Sequence, residues 1–342
     1  MFMEREGDIP KNQLKRVYAE ILRGSCAVFD DKYGKVYIKH LKVWDTENLD
    51  EQRDLHFEKA RSEGLPTKEE KMELLVKDDL WDKSKDAEIN QKKEFIERMR
   101  ASKSKMMLKS QIDSIQKDIE STQNKVAKIM KEKEALLGMT AEIYADKKVN
   151  DQYVYLTLFK DQELETPLLS DEQFEEMSDM ELGELVMLYN KSSGRYSERN
   201  MKRVALSGFF LNNFYLCKDN PFIFFGKPLV ELTYHQSDLF SYGRYFKHVL
   251  SEMKHQPPQD IMEDPDKLIE HYDIQQNQEK LNSGKDMSGK ATTYIGATKD
   301  DMDALGVSKQ IEEDPNTISL HDELKKSGGQ LTMQDMIKLH GV

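Results

Sequence analysis

Residues 209–246 read FFLNNFYLCKDNPFIFFGKPLVELTYHQSDLFSYGRYF, and this stretch decides the fold. It holds twelve of the chain's 30 aromatic residues in 38 of its 342 positions. Aromatic side chains bury large areas and dominate both cores and interfaces. Two readings therefore stand side by side. In the first, the block is the core of a helical domain. In the second, Phe222, Phe224 and Phe225 stand on an exposed loop as anchors for another subunit. The flanking runs, 197–218 and 232–253, are strongly apolar and helical in character. Between them Pro221 and Pro228 preclude an uninterrupted helix, so DNPFIFFGKP reads as a loop.

Working upstream, Tyr153-Val154-Tyr155-Leu156-Thr157-Leu158-Phe159 is β-rich and predicts a short strand. Ser170 with Gln173 forms a capping box that opens a helix through Phe174, Met177, Leu182, Leu185 and Leu188. Residues 86–137 contain no Gly or Pro, and Gly138 is a natural terminator. This is one long helix or a helical pair. Its apolar seam, Leu108, Ile112, Ile115, Ile119, Thr122, Val126, Ile129, Lys133 and Leu136, alternates steps of four and three. That is the 3.5-residue period of a coiled coil, with Thr122 and Lys133 as polar flaws. Ile112, Ile115 and Ile119 then pack against a partner chain or within the same chain, and the pattern leaves both open.

At the N-terminal end, Leu14, Val17, Ile21 and Leu22 have helical spacing, and Gly24 closes the run. Ala27-Val28-Phe29 and Val36-Tyr37-Ile38 predict a hairpin around the turn residues 30–34. Thr67 and Glu70 form another capping box, and Trp81 is placed to pack that helix onto the next. Downstream, Asp264-Pro265 and Asp314-Pro315 are helix-start signals. Residues 276–342 are polar, as expected of a flexible tail. Near its end Leu331, Met333, Met336, Ile337 and Leu339 suggest a short amphipathic helix, either a docking peptide or a helix folded back on its own chain.

The expected fold class is mainly α with a small β-hairpin element (α+β). The boundaries are 1–85 for an N-terminal α+β segment, 86–138 for the long helix or coiled coil, 139–275 for the aromatic-rich helical core, and 276–342 for the tail. This matches the composition. With 33% charged and 38% hydrophobic residues, the chain has too little apolar content for one large core, and polarity concentrates in the 86–138 and 276–342 zones.

No catalytic, cofactor-binding or metal-ligating pattern stands out. Gly226-Lys227-Pro228 lacks the upstream glycine and following hydroxyl of a P-loop, and GxGxxG, GxSxG and HExxH do not occur. The eight histidines are dispersed; His248 and His255 can share a helix face, but no thiol or carboxylate completes a ligand set there. The formal charge of −12 counts against a general nucleic-acid binder. One local exception is the basic cluster Arg195, Arg199, Lys202 and Arg203, read as a solvated helix face or as a phosphate-contacting patch. Cys26 and Cys217 are too few and too far apart for a disulfide framework, which suits a reducing compartment. The N-terminus lacks a signal-peptide core, and no apolar run approaches the ~18 residues of a membrane span. A cytoplasmic setting without membrane contact is expected.

The block FFLNNFYLCKDNPFIFFGKPLVELTYHQSDLFSYGRYFKHVL, with RGSCAVFDDKYGKVYIKHL and GLPTKEEKMELLVKDDLW, resembles structural and tail-assembly proteins of large tailed bacteriophages. The resemblance covers about residues 15–250 and carries no functional residue across. It implies a non-enzymatic role: a neck, tail or baseplate component, or a chaperone that escorts one. The implied partners are other phage structural proteins, a second copy of the chain, or both, and the implied place is the host cytoplasm during assembly or the virion itself.

Overall fold

A computed structural model describes residues 7–106, 108–253 and 257–285, together with residues 298 and 301. The side chains of 278 and 280–285 are outside this description. The chain divides into two compact units, one of Met1–Glu97 and Thr122–Gln275, the other of Arg98–Ser121 and Gln276–Val342. Met336, Ile337, Asp314-Pro315 and the terminal amphipathic segment all lie outside the described residues.

The first unit begins with α1 (Lys11–Arg23), which buries Leu14, Val17 and Ile21 and ends at Gly24 with φ +80°. Leu22, counted on the apolar face from spacing alone, is instead exposed. Strands β1 (Ser25–Asp30) and β2 (Gly34–Lys39) form the expected antiparallel hairpin, with Asp30 opposite Gly34. The turn is closed by Asp30 Oδ1, which accepts from the backbone N–H of Lys32 (2.9 Å) and Tyr33 (3.0 Å). Gly34 takes φ +71°, a left-handed angle that a Cβ disfavours.

Helices α2 (Leu49–Ser62) and α3 (Lys68–Lys77) follow, the second opened by the Thr67–Glu70 capping box as its sequence predicts. Trp81 is buried against Leu75 and Leu137, beside α4 (Lys83–Lys103) and α5 (Lys109–Leu137). The Gly- and Pro-free stretch is thus a helical pair, not one continuous helix. In the first unit, Lys133 Nζ reaches Asp86 at 2.8 Å and Lys85 Nζ reaches Glu132 at 2.7 Å, which ties the start of α4 to the end of α5. In the second unit, Lys103 Nζ donates to Gln116 at 2.9 Å, and Asn277 Nδ2 donates to the Ser104 carbonyl at 2.9 Å.

Helix α6 (Ala141–Thr157) corrects the expected strand at 153–159: only β3 (Leu158–Phe159) is extended, paired antiparallel with β2. Thr140 caps the helix, and Val154 and Thr157 fall three apart on its buried side. Packing on that side overrides the β propensity of the tyrosines and valine. The helix expected from Ser170 onward is two: α7 (Asp171–Glu175) and α8 (Asp179–Ser193), because Ser178 and Glu181 form a further capping box that restarts it. Likewise 197–218 breaks at Ser207 into α9 (Glu198–Leu206) and α10 (Gly208–Leu216). The loop between the prolines contains one short helix, α11 (Pro221–Phe225), capped by the Asn220 side chain. Then come α12 (Tyr234–Glu252), α13 (Gln259–Met262) and α14 (Pro265–Lys285), the last starting at Asp264-Pro265 as expected.

The aromatic block is largely core. Phe210, Phe214 and Phe246 are fully buried, and Phe210 stacks on Phe214 with ring centroids 5.3 Å apart. Gly243 on α12 is what lets them in. A Cβ built there would lie 2.8 Å from both rings. Gly243→Ala gains about 1 kcal/mol of helix propensity. Two locked rings cannot give way, however, and overpacking costs about 1–3 kcal/mol. Net destabilisation, a lower urea midpoint, is the expected result; an unchanged or higher midpoint would show that the rings repack. Gln236, also fully buried, donates from Nε2 to the Ile21 (2.9 Å) and Leu22 (3.2 Å) carbonyls, tying α12 to the end of α1.

Candidate protein-interaction surface

Short helix α11 sorts the predicted anchors by face. Phe224 packs against Phe210, Phe214 and Phe240, and Phe225 against Phe224 and Phe240. These two are half-buried parts of the core, so the expectation that all three phenylalanines stand exposed is corrected. Phe222 is 58% exposed, and its neighbour Ile223, which sequence reasoning passed over, is exposed with it. The reason is geometric: a one-turn helix presents one side to the core and the other to solvent.

Phe222 and Ile223 have apolar company. Tyr215 and Leu216, at the end of α10, are exposed, the leucine at 79%. After Gly226, Leu229 and Val230 are exposed as well. The Val230 carbonyl accepts from Trp44 Nε1 at 3.2 Å, which holds exposed Val43 and Trp44 beside this segment. Thr46 Oγ1 and Tyr234 Oη, 2.9 Å apart, make a second clasp across the same junction. Ile223 and Leu229 are six residues apart, so the chain keeps them within about 20 Å. Eight large apolar side chains are thus exposed between residues 215 and 230 and on the 43–44 segment clasped to Val230. Scattered exposed hydrophobics are ordinary, whereas a contiguous group of them is the kind of surface that interfaces use.

The backbone at this corner is strained. Lys218 and Asp219 are consecutive non-glycine residues with φ of +50° and +59°. Left-handed angles cost such residues about 1 kcal/mol or more each. They persist here because Asp219 Oδ2 accepts from Lys247 Nζ at 2.8 Å and Asn220 caps α11. Strain of this kind concentrates at functional segments.

The seam residues are placed differently. Ile112 and Ile119 are each 3% exposed, and Ile115 is half-buried. These side chains are covered within the one chain, the arrangement of the second of the two readings.

The basic cluster at 195–203 is neutralised internally. Arg199 Nε donates to Asp8 at 2.8 Å and Nη2 to Asp264 at 3.2 Å, and Nη1 pairs with Asp266. Burial works against the Arg199 charge, yet the bonds to Asp8 and Asp264 and the Asp266 charge hold its pKa above the usual arginine range. Lys202 pairs with Glu198, and Arg203 Nη1 donates to the Ile9 carbonyl at 2.7 Å. Arg195 donates to Glu20 at 3.2 Å. A phosphate would have to compete with these carboxylates.

Beside Arg195 lies a cluster no motif announced. Tyr196 stacks on His235 with centroids 4.7 Å apart and meets His40 edge-on at 4.7 Å. His40 is 5% exposed, and neither of its ring nitrogens has a partner. Burial, reinforced by the charges of His235 and Arg195, lowers its pKa to about 3; burial alone lowers that of His235 to about 4. Burial also pushes the Cys26 thiol and the Tyr196 phenol up. The cavity these groups line, with Lys39, Tyr153 and Tyr189, measures about 20 Å³. That is room for roughly one water. Among the described residues no group of three or more His, Cys, Asp or Glu is placed to hold a metal, and no helix is long and apolar enough to cross a membrane.

No family model matches the chain, and searches of curated proteins and of solved structures find no match either.

Proposed function

We propose that this chain is a non-enzymatic assembly protein that works through protein–protein contacts at the α10–α11 corner. The observation that carries the reading is the group of large apolar side chains, Leu216, Phe222 and Ile223 foremost, exposed on a strained, side-chain-clasped segment. Such a surface loses free energy in water and regains it against a complementary one. A tail or virion structural role, or that of a chaperone serving one, is the setting suggested by the resemblance of residues 15–250 to phage assembly proteins. The alternative use of residues 195–203 as a nucleic-acid patch has less support, since their cations already face Glu20, Asp8, Asp264, Asp266 and Glu198.

The test is selection of displayed peptides on the full chain, with the triple variant Leu216→Ser/Phe222→Ser/Ile223→Ser as control. Binders that weaken by about tenfold or more on the variant, the loss of one or two anchors, are expected. No enrichment, or equal binding to both proteins, would overturn the contact surface. Mass spectrometry of purified particles, with deletion of the gene, tests the setting. Presence in particles identifies a virion part, and absence with failed assembly a chaperone. Absence with normal particles would remove the phage role.

A further inference from the structure

The charges around the α10–α11 corner constrain what it can meet. Residues 215–231 carry Lys218, Asp219, Lys227 and Glu231, a formal sum of zero, and the Lys247 that holds Asp219 brings the corner to +1 in a chain of −12. A face specialised for a strongly acidic or basic partner would carry the opposite sign. A face this close to neutral is where two copies of a strongly negative protein can approach with least repulsion.

The distribution is also self-complementary. Lys218 flanks the half built on Leu216 and Phe222; Glu231 flanks the half where Val230 meets Trp44. Among the described residues neither has an ion-pair partner, whereas Asp219 is held by Lys247. A two-fold axis brings the first half of one copy onto the second half of the other. Residue i then meets j and j meets i, so an unpaired cation at one end and an unpaired anion at the other are satisfied twice.

The area suffices. An aromatic side chain covers roughly 150–250 Å², so residues 45–79% exposed leave on the order of 100 Å² each. Eight of them approach the roughly 800 Å² per side of a standard interface.

We propose that the α10–α11 corner pairs with a second copy of this chain about a two-fold axis, with Lys218 of each copy facing Glu231 of the other. This rests on the contact-surface reading above and names its partner. The experiment is sedimentation velocity of the full chain over a roughly hundredfold concentration range, so that a reversible dimer is read by mass action. Wild type shifts from monomer to dimer. Lys218→Glu and Glu231→Lys each weaken the dimer about tenfold, and the double variant K218E/E231K regains most of that loss, because the swap restores opposite charges. Phe222→Ser weakens it at least as much. These are surface positions, and an unchanged circular dichroism spectrum confirms that each variant folds. A monomer at every concentration overturns the pairing; if displayed binders still depend on Leu216 and Phe222, the surface stands and only its self-pairing falls, and if they do not, both fall. A dimer indifferent to all these variants forms elsewhere and overturns the proposal. Loss in both single charge variants without recovery in the double overturns the two-fold arrangement.

Discussion

Glu20→Ala should cost this protein about 2–3 kcal/mol, among the largest effects of any single polar substitution in it. Glu20 lies on α1 between the core residues Val17 and Ile21 and is 4% exposed. Its Oε1 accepts from Arg16 Nε at 3.0 Å and Arg195 Nη1 at 3.2 Å, while Oε2 accepts from Arg195 Nη1 at 3.2 Å and Tyr196 Oη at 2.8 Å. Removing the carboxylate leaves a guanidinium and a phenol facing an apolar gap. The cost of breaking a fully buried ion pair is about 3–5 kcal/mol. Arg195 keeps a quarter of its side chain in solvent, which lowers the figure, since water screens what the carboxylate no longer supplies. Arg16, mostly exposed, is a partner of little weight, and Arg16→Ala should cost less than about 1 kcal/mol. The double variant Glu20→Ala/Arg195→Ala should cost less than the sum of the singles, because the second truncation removes the cation that the first left stranded. Urea unfolding followed by circular dichroism measures the wild type and all four variants. A Glu20→Ala loss below about 0.5 kcal/mol, within the range of ordinary surface substitutions, would mean that the network is not coupled to folding.

That network marks the limit of what the sequence discloses. Elements whose cause is local were legible. Thr67 with Glu70, Ser170 with Gln173, and Asp264-Pro265 each place a hydrogen bond or fixed φ within three residues, and each starts a helix where its chemistry says. Gly34 and Asp30 define the hairpin for the same reason. The failures have long-range causes. Tyr153 to Thr157 carry strand propensity, but their burial belongs to packing on distant elements. Phe224 and Phe225 turn inward because Phe210, Phe214 and Phe240 await them. The basic cluster looked solvated because Asp8 and Asp264, its neutralising partners, lie 191 and 65 positions away in sequence. One cue for Glu20 was available: a carboxylate three residues after Val17 and next to Ile21 sits on the apolar face of its helix, and a charge placed there needs a partner. The seam at 108–136 gave the right faces but not their owner. A 3.5-residue period specifies which side of a helix is covered and says nothing of which chain covers it.

Acidification should unfold this protein through His40 and His235. In the folded state the two rings are neutral, with pKa values of about 3 and about 4 against an ordinary 6.5. The groups facing them are Tyr196, whose phenol burial keeps protonated, and the Arg195 cation; neither supplies an anion to a new imidazolium. Unfolding frees both rings to bind protons at their ordinary pKa. Between pH ~6.5 and the folded values the unfolded state therefore holds more protons than the folded one. Stability then falls as pH falls, by about 1.4 kcal/mol per pH unit for each histidine. The contribution is intact above pH ~6.5 and lost progressively down to about pH 4 for His235 and about pH 3 for His40. Two such groups descend together through most of that range, and several kcal/mol is comparable with the whole stability of a domain, about 5–15 kcal/mol. Carboxylates whose pKa the fold depresses, such as Asp264, which loses its Arg199 bonds on protonation, add to the slope at the lower end of the window. The histidine share is isolated by His40→Phe. An aromatic ring of similar size keeps the edge-on contact with Tyr196 and removes two unpartnered nitrogens. Urea unfolding at intervals from pH 7.5 to 4.5 should show the wild-type curve falling away from that of the variant below pH ~6, diverging by about 1.4 kcal/mol per unit. Parallel curves would mean that His40 titrates alike in both states and that its burial carries no proton linkage.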